Sequence, residues 1–129
     1  MTLAFLGDVD GESLSVLKTL QLKGARHSLP IEQARYWKHN QIIWVGPEAV
    51  PEELAFLAQG LKDKLQEKNF RTEERPFAAH VTLVRKARDP GELPRLPAVD
   101  WPVNEVVLVR SRLSSDGASY QVVQRYPLS

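Results

Sequence analysis

Read for its apolar positions alone, the chain switches repeatedly between two periods. It opens apolar: Thr2 to Leu6, closed by Gly7 and the acidic turn around Asp8 and Asp10, reads as a strand buried on both faces. From Glu12 to Gly24 the period becomes helical, with Leu14, Val16, Leu17 and Leu20 in phase and Gly24 as the stop. Two β-like stretches follow, 28–37 and 41–45, joined by the polar turn Lys38-His39-Asn40; the second, QIIWV, ends at Gly46-Pro47. The clearest period begins at Pro51, which suits a first helical position. Glu52 and Glu53 complement the positive end of that helix, and Leu54, Leu57, Leu61 and Leu65 form its stripe. After the polar stretch NFRTEERP comes a strand from Ala79 to Arg85. A Pro-rich loop, DPGELPRLPAVDWP, then leads to a strand from Val103 to Leu113, and SSDGAS turns it into a last strand, Tyr120 to Tyr126, as a hairpin. Helix and strand early, antiparallel pairing late, predict an α+β fold. No linker divides the chain, so residues 1–129 are expected to form a single domain.

Composition narrows the class without naming an activity. With 43% hydrophobic and 26% charged residues, this is ordinary globular chemistry. A net charge of +1 gives no overall field for nucleic acid or membrane, so any basic site has to be local. The absence of cysteine removes disulfides and thiolate metal sites, and no spacing of His with carboxylates suggests a metal. No metal and no cofactor are therefore expected. The start has no basic n-region, its apolar run stops at Asp8, and no later run approaches the length of a membrane span. A cytoplasmic protein with no membrane partner is the expectation.

Chemistry concentrates in FAAHVTLVRK. On a strand His80 and Thr82 point to one face while Val81 and Leu83 point to the other. An imidazole that moves a proton near neutral pH, beside a hydroxyl that donates to a phosphoryl oxygen, can act on one small anion. Arg85 follows and can supply charge-assisted hydrogen bonds to phosphate. Its parity on an ideal strand is wrong for the His80 face, so it needs a bend to reach. By itself, His-x-Thr on a strand is ordinarily just a strand with one polar face. Phe77, immediately before the motif, is the candidate for stacking a base. Phe5 and Trp44 are expected in the core, and Arg71, Arg75 and the helix lysines on a solvated face.

A second observation raises the weight of the motif: Thr2-Leu3 echoes Thr82-Leu83. One histidine placed before Met1 would make the start H-M-T-L beside the later H-V-T-L. With TLAFLG, QIIWVG, PFAAHVTLVRKA and the final hairpin in this order, essentially the whole chain resembles the 2H phosphoesterases. Within these it is similar to the LigT-like bacterial RNA 2′,3′-cyclic phosphodiesterases, also called 2′-5′ RNA ligases, which carry two H-x-T-x motifs. The second motif is complete as His80, Val81, Thr82 and Leu83, with Arg85 close behind; of the first, Thr2 matches the threonine.

The resemblance implies a two-lobed fold with antiparallel sheets flanking a central cleft. It also implies that a preceding strand, helix and first histidine are missing, most simply through a start assigned too late. The implied reaction is metal-free hydrolysis of a 2′,3′-cyclic phosphate at an RNA end to a 2′-phosphate. In that scheme His80 is the base, the absent first-motif histidine the acid, and Thr82 and Thr2 hold the non-bridging oxygens. His27 and His39 are not expected to replace the acid. The partners implied are RNA ends or nucleotide 2′,3′-cyclic phosphates, and a strand Thr2–Leu6 without its neighbour would leave an edge for self-association. Two alternatives stay open: a catalytically impaired binder of RNA or nucleotide ends, and a 2′-5′ RNA ligase or phosphodiesterase.

Overall fold

The computed structural model describes residues 1–129 and has the element order α1 (Gly11–Lys18), β1 (His27–Ile31), β2 (Gln33–Trp37), β3 (Ile42–Gly46), α2 (Glu52–Glu67), β4 (Val81–Val84), β5 (Val99–Val103), β6 (Glu105–Ser114) and β7 (Gly117–Pro127). Every strand pair is antiparallel: β1 with β5, β2–β3–β4 in that order, and β6 with β7. The fold is α+β, as the periods predict.

Both helices begin where local chemistry says they should. Asp10 caps α1 by accepting from the Ser13 backbone N–H at 2.7 Å. Hydrogen bonds from Ser13, above all this one, hold the Asp10 carboxyl below its usual range. Because the folded pKa is depressed, the cap contributes stability above the ordinary carboxylate pKa and loses it as pH falls through the folded value. Urea midpoints of the parent chain and Asp10→Ala are therefore expected to differ at about pH 7 and to converge as pH falls through the depressed folded-state value. A gap that persists in acid would remove the charged cap as its cause.

Helix α1 is shorter than the predicted span. It ends with Thr19 as C-cap, whose hydroxyl donates to the Val16 carbonyl, rather than at Gly24. Leu17 and Leu20 still reach the core, meeting Leu65 of α2, with Leu61, Phe70, Leu108 and Tyr126 packed around them. Pro51 is the N-cap of α2, one position before the predicted place. The helix stops through a signal hidden in the polar stretch. Asn69 adopts φ 65, the Asn69 N–H donates to Gln66 O at 3.1 Å, and the Phe70 N–H donates to Leu65 O at 2.9 Å. This is a Schellman ending, with Phe70 closing it against the Leu65 cluster.

Three strand expectations need correction. Residues 2–6 form no strand: their backbone finds no ladder partner, and Phe5, expected in the core, is 75% exposed. The edge proposed for self-association is therefore not present at this segment. The stretch 28–37 is two strands, since β1 pairs with β5 whereas β2, beyond Glu32, pairs with β3. The Pro-rich loop contains β5, with Pro102 opposite Ser28. Proline survives there because a two-stranded ladder leaves each strand one free edge where no N–H is required.

Leu29, Leu54 and Ala79 form a second buried cluster, against which Met1, Leu3, Ile31, Phe77 and Val103 pack. This cluster matters for the site, because it anchors both the start of the chain and the residue just before His80.

Candidate active site

The site is carried by the sheet β2–β3–β4. Gly46, at the end of β3, lets the incoming chain approach: a Cβ there would lie 2.6 Å from the Ala79 carbonyl oxygen. Only glycine permits that contact without backbone movement. It seats Ala79 against β3 and delivers His80 to the mouth of β4.

His80 is half-exposed, and its Nδ1 lies 2.8 Å from the Ala78 carbonyl oxygen. A carbonyl only accepts, so Nδ1 carries the hydrogen. In the neutral ring Nε2 then bears the free lone pair. Nε2, which that carbonyl does not engage, can accept a proton. Its ring neighbours are two indoles, Trp37 with centroids 4.8 Å away and Trp44 at 6.2 Å in an edge-on arrangement.

Thr82 stands opposite Trp44 in the β3–β4 ladder, and Trp44 stands opposite Arg35 in the β2–β3 ladder. Directly paired residues share a face, so Arg35, Trp44 and Thr82 form one cross-strand row. Trp37, opposite Ile42, lies on the same face by parity, and the His80 ring joins it through its contacts with both tryptophans. Trp44 is only 8% exposed, as expected of a core residue, and its indole N–H has no partner.

An irregularity in β4 bears on the parity of Arg85. The register reads Ile43↔Val84 and then Trp44↔Thr82, so β4 holds one extra residue, Leu83. A bulge of this kind reverses the alternation beyond it. Continued by one residue, the shifted register sets Arg85 opposite Ile42, on the face of Trp44 and Thr82. The chain then turns away, with Lys86 at φ 53 and the Ala87 N–H donating to Gln41 O at 2.8 Å.

The other predicted residues divide. Thr2 is exposed, and its neighbours Met1 and Leu3 pack on the cluster that holds Ala79, which brings Thr2 to the same region as the His80 segment. Phe77 is partly buried against that cluster and so is bound up in packing. The aromatic side chain actually beside His80 is Trp37, which the sequence reading passed over. The hairpin register carried the signal, since Trp37 pairs with Ile42 and therefore shares the face of Trp44. What the sequence lacked was the adjacency of β4.

His27 repeats the arrangement of His80, with Nδ1 2.9 Å from Ala25 O, but it lies in the β1–β5 sheet and its Nε2 is buried without a partner. His39 sits on the β2–β3 turn, with its ring centroid 5.7 Å from Trp37. No group of three or more His, Asp or Glu side chains is arranged to hold a metal ion. No helix is long and apolar enough to cross a membrane. A hollow of about 610 Å³ is lined by Gly24, Ala25, Glu52, Glu53, Phe56 and Ser129. Its two carboxylates give it the wrong charge for a phosphate, and none of the motif residues borders it.

Comparison with known proteins identifies the family and the fold. The family pattern described as LigT like Phosphoesterase matches residues 45–120. The chain is 29% identical over 133 residues to the RNA 2′,3′-cyclic phosphodiesterase of Escherichia coli (strain K12), covering 100% of this chain and 75% of that protein. It is 32% identical over 141 residues to the RNA 2′,3′-cyclic phosphodiesterase of Thermus thermophilus, covering 99% of this chain and 71% of the relative. The crystal structure of E. coli LigT complexed with 3′-AMP superposes with a TM-score of 0.86 at 27% identity, over 98% of this chain and 75% of that one.

Proposed function

Because the chain belongs to the LigT-like phosphoesterase family, we propose that it opens 2′,3′-cyclic phosphates at RNA ends, or on nucleotides, to 2′-phosphates. The reading takes residues 1–129 as one catalytic domain. Water adds to phosphorus, the P–O3′ bond breaks, and the phosphate stays on the 2′-oxygen. His80 Nε2 takes the proton of the attacking water. The Thr82 hydroxyl donates to a non-bridging oxygen that gains charge as the fifth bond forms, and Thr2 donates to the other from its own segment. Arg85, on the Thr82 face by its shifted parity, adds positive charge where the sheet opens to solvent. His80 is assigned only the base. The departing 3′-oxygen takes its proton from water.

The observation that carries this proposal is the Nδ1 contact with the Ala78 carbonyl, because it presents Nε2 as acceptor on the face that also holds Thr82. The names of the relatives support the substrate class, and the LigT complex with 3′-AMP supports a nucleotide-sized occupant.

The test is turnover of adenosine 2′,3′-cyclic phosphate, with the product isomer identified by chromatography, with and without EDTA. Formation of adenosine 2′-phosphate at a rate unchanged by EDTA is expected. A 3′-phosphate product would overturn the assigned bond cleavage. A rate abolished by EDTA and restored by a divalent cation would overturn the metal-free mechanism. Binding without turnover, or turnover of 2′-5′-linked dinucleotides alone, would replace the proposed reaction with one of its two rivals.

A further inference from the structure

We propose that Trp37 is the platform on which the nucleobase of the reacting nucleotide stacks, and so a specificity-determining residue for this site. The inference rests on the reading that His80 faces the cyclic phosphate, and it replaces Phe77 in that role. Phe77 packs against the buried Leu29–Leu54–Ala79 cluster. Trp37, also partly buried, is not part of that cluster and lies on β2, the edge strand of its sheet. Its ring is backed by buried Trp44 at 4.7 Å and flanked by His80 at 4.8 Å, which fixes the indole in place before any ligand arrives. A rigid aromatic surface loses little conformational freedom on binding and gives its stacking energy to any base.

Proximity decides which base it serves. The base nitrogen of His80 has to come within about 3 Å of the water it activates, and the indole is the ring next to that imidazole. A platform this near the reacting phosphorus serves the nucleotide that carries the cyclic phosphate, not its neighbour along an RNA strand. The rim of the platform is basic: Arg35 is exposed on the same face, and Lys38 and exposed His39 stand on the adjoining turn, with the His39 ring 5.7 Å from Trp37. Positive charge there suits the preceding phosphodiester of an RNA end. Because stacking scales with ring area, purine ends are held more tightly than pyrimidine ends.

Calorimetric titration with adenosine 2′-phosphate and with the base-free ligand methyl riboside 2-phosphate tests the proposal on the parent chain, Trp37→Ala and Trp37→Phe. Trp37→Ala is expected to weaken adenosine 2′-phosphate binding by about 10- to 100-fold and to leave the base-free ligand unchanged, while Trp37→Phe stays within a few-fold of the parent. Equal weakening of both ligands would make Trp37 merely structural and overturn the platform. So would unchanged adenosine 2′-phosphate binding by Trp37→Ala, or a parent chain that does not prefer the base-bearing ligand. Retained discrimination in a chain that hydrolyses nothing would remove the enzymatic reading while leaving the platform in place.

Discussion

Replacing His80 with alanine lowers turnover of a nucleoside 2′,3′-cyclic phosphate by about 10²- to 10⁴-fold, the usual worth of one positioned general base. The far-UV circular dichroism and the urea midpoint stay close to those of the parent. Both halves of that expectation come from the same geometry. The imidazole is half-exposed, precedes the β4 ladder, and makes its one hydrogen bond to the carbonyl two residues back. Its removal therefore leaves no unpaired group deep in the core, which is the usual source of large destabilisation. His80→Gln sharpens the test, because glutamine restores hydrogen bonding without an imidazole and stays impaired. Full activity in either variant would take His80 out of the mechanism.

Thr82→Val is expected to lower kcat by about 10²- to 10³-fold, on the scale of removing one preorganised donor from a developing oxyanion. Valine keeps the β-branched shape that suits a strand, so the pairing with Trp44 survives and the loss isolates the hydroxyl. The two kinetic constants discriminate. A fall in kcat with little change in KM marks a hydrogen bond made in the transition state; a rise in KM alone would mark an ordinary substrate anchor. Thr82→Ser, which retains the donor, recovers most of the rate. Unchanged kinetics for valine would separate Thr82 from the phosphate altogether.

How far the sequence could be read depended on the distance over which each element is decided. Helix α2 was legible in outline, because its leucine stripe, its acidic first turn and the proline before it all act within a few residues. Its stop at Asn69 was equally local but was missed, since asparagine in a left-handed conformation looks like any polar residue until φ is known. The strands fared differently. Residues 2–6 carry a strand composition and form none, while β5 carries two features that argue against a strand, Pro102 and a proline-rich approach, and pairs fully with β1. A strand is completed by a partner, and composition names no partner.

The site shows the same division. That His80 and Thr82 share a face follows from alternation along one extended segment, and the sequence alone determined it. The chain also determined, through TLAFLG, QIIWVG and the H-x-T-L motif, the family to which it belongs. Tertiary structure decided the rest. The alternation of β4 breaks before Arg85, because Leu83 is an extra residue between Thr82 and Val84, which face Trp44 and Ile43. Trp37 lies against His80 because β3 joins β2 to β4. The tautomer of His80 is set by the Ala78 carbonyl, one residue before the Ala79 carbonyl whose close approach Gly46 permits. Periodicity is written in covalent order, but register and adjacency are set by groups far apart in the chain that meet only when the sheet closes.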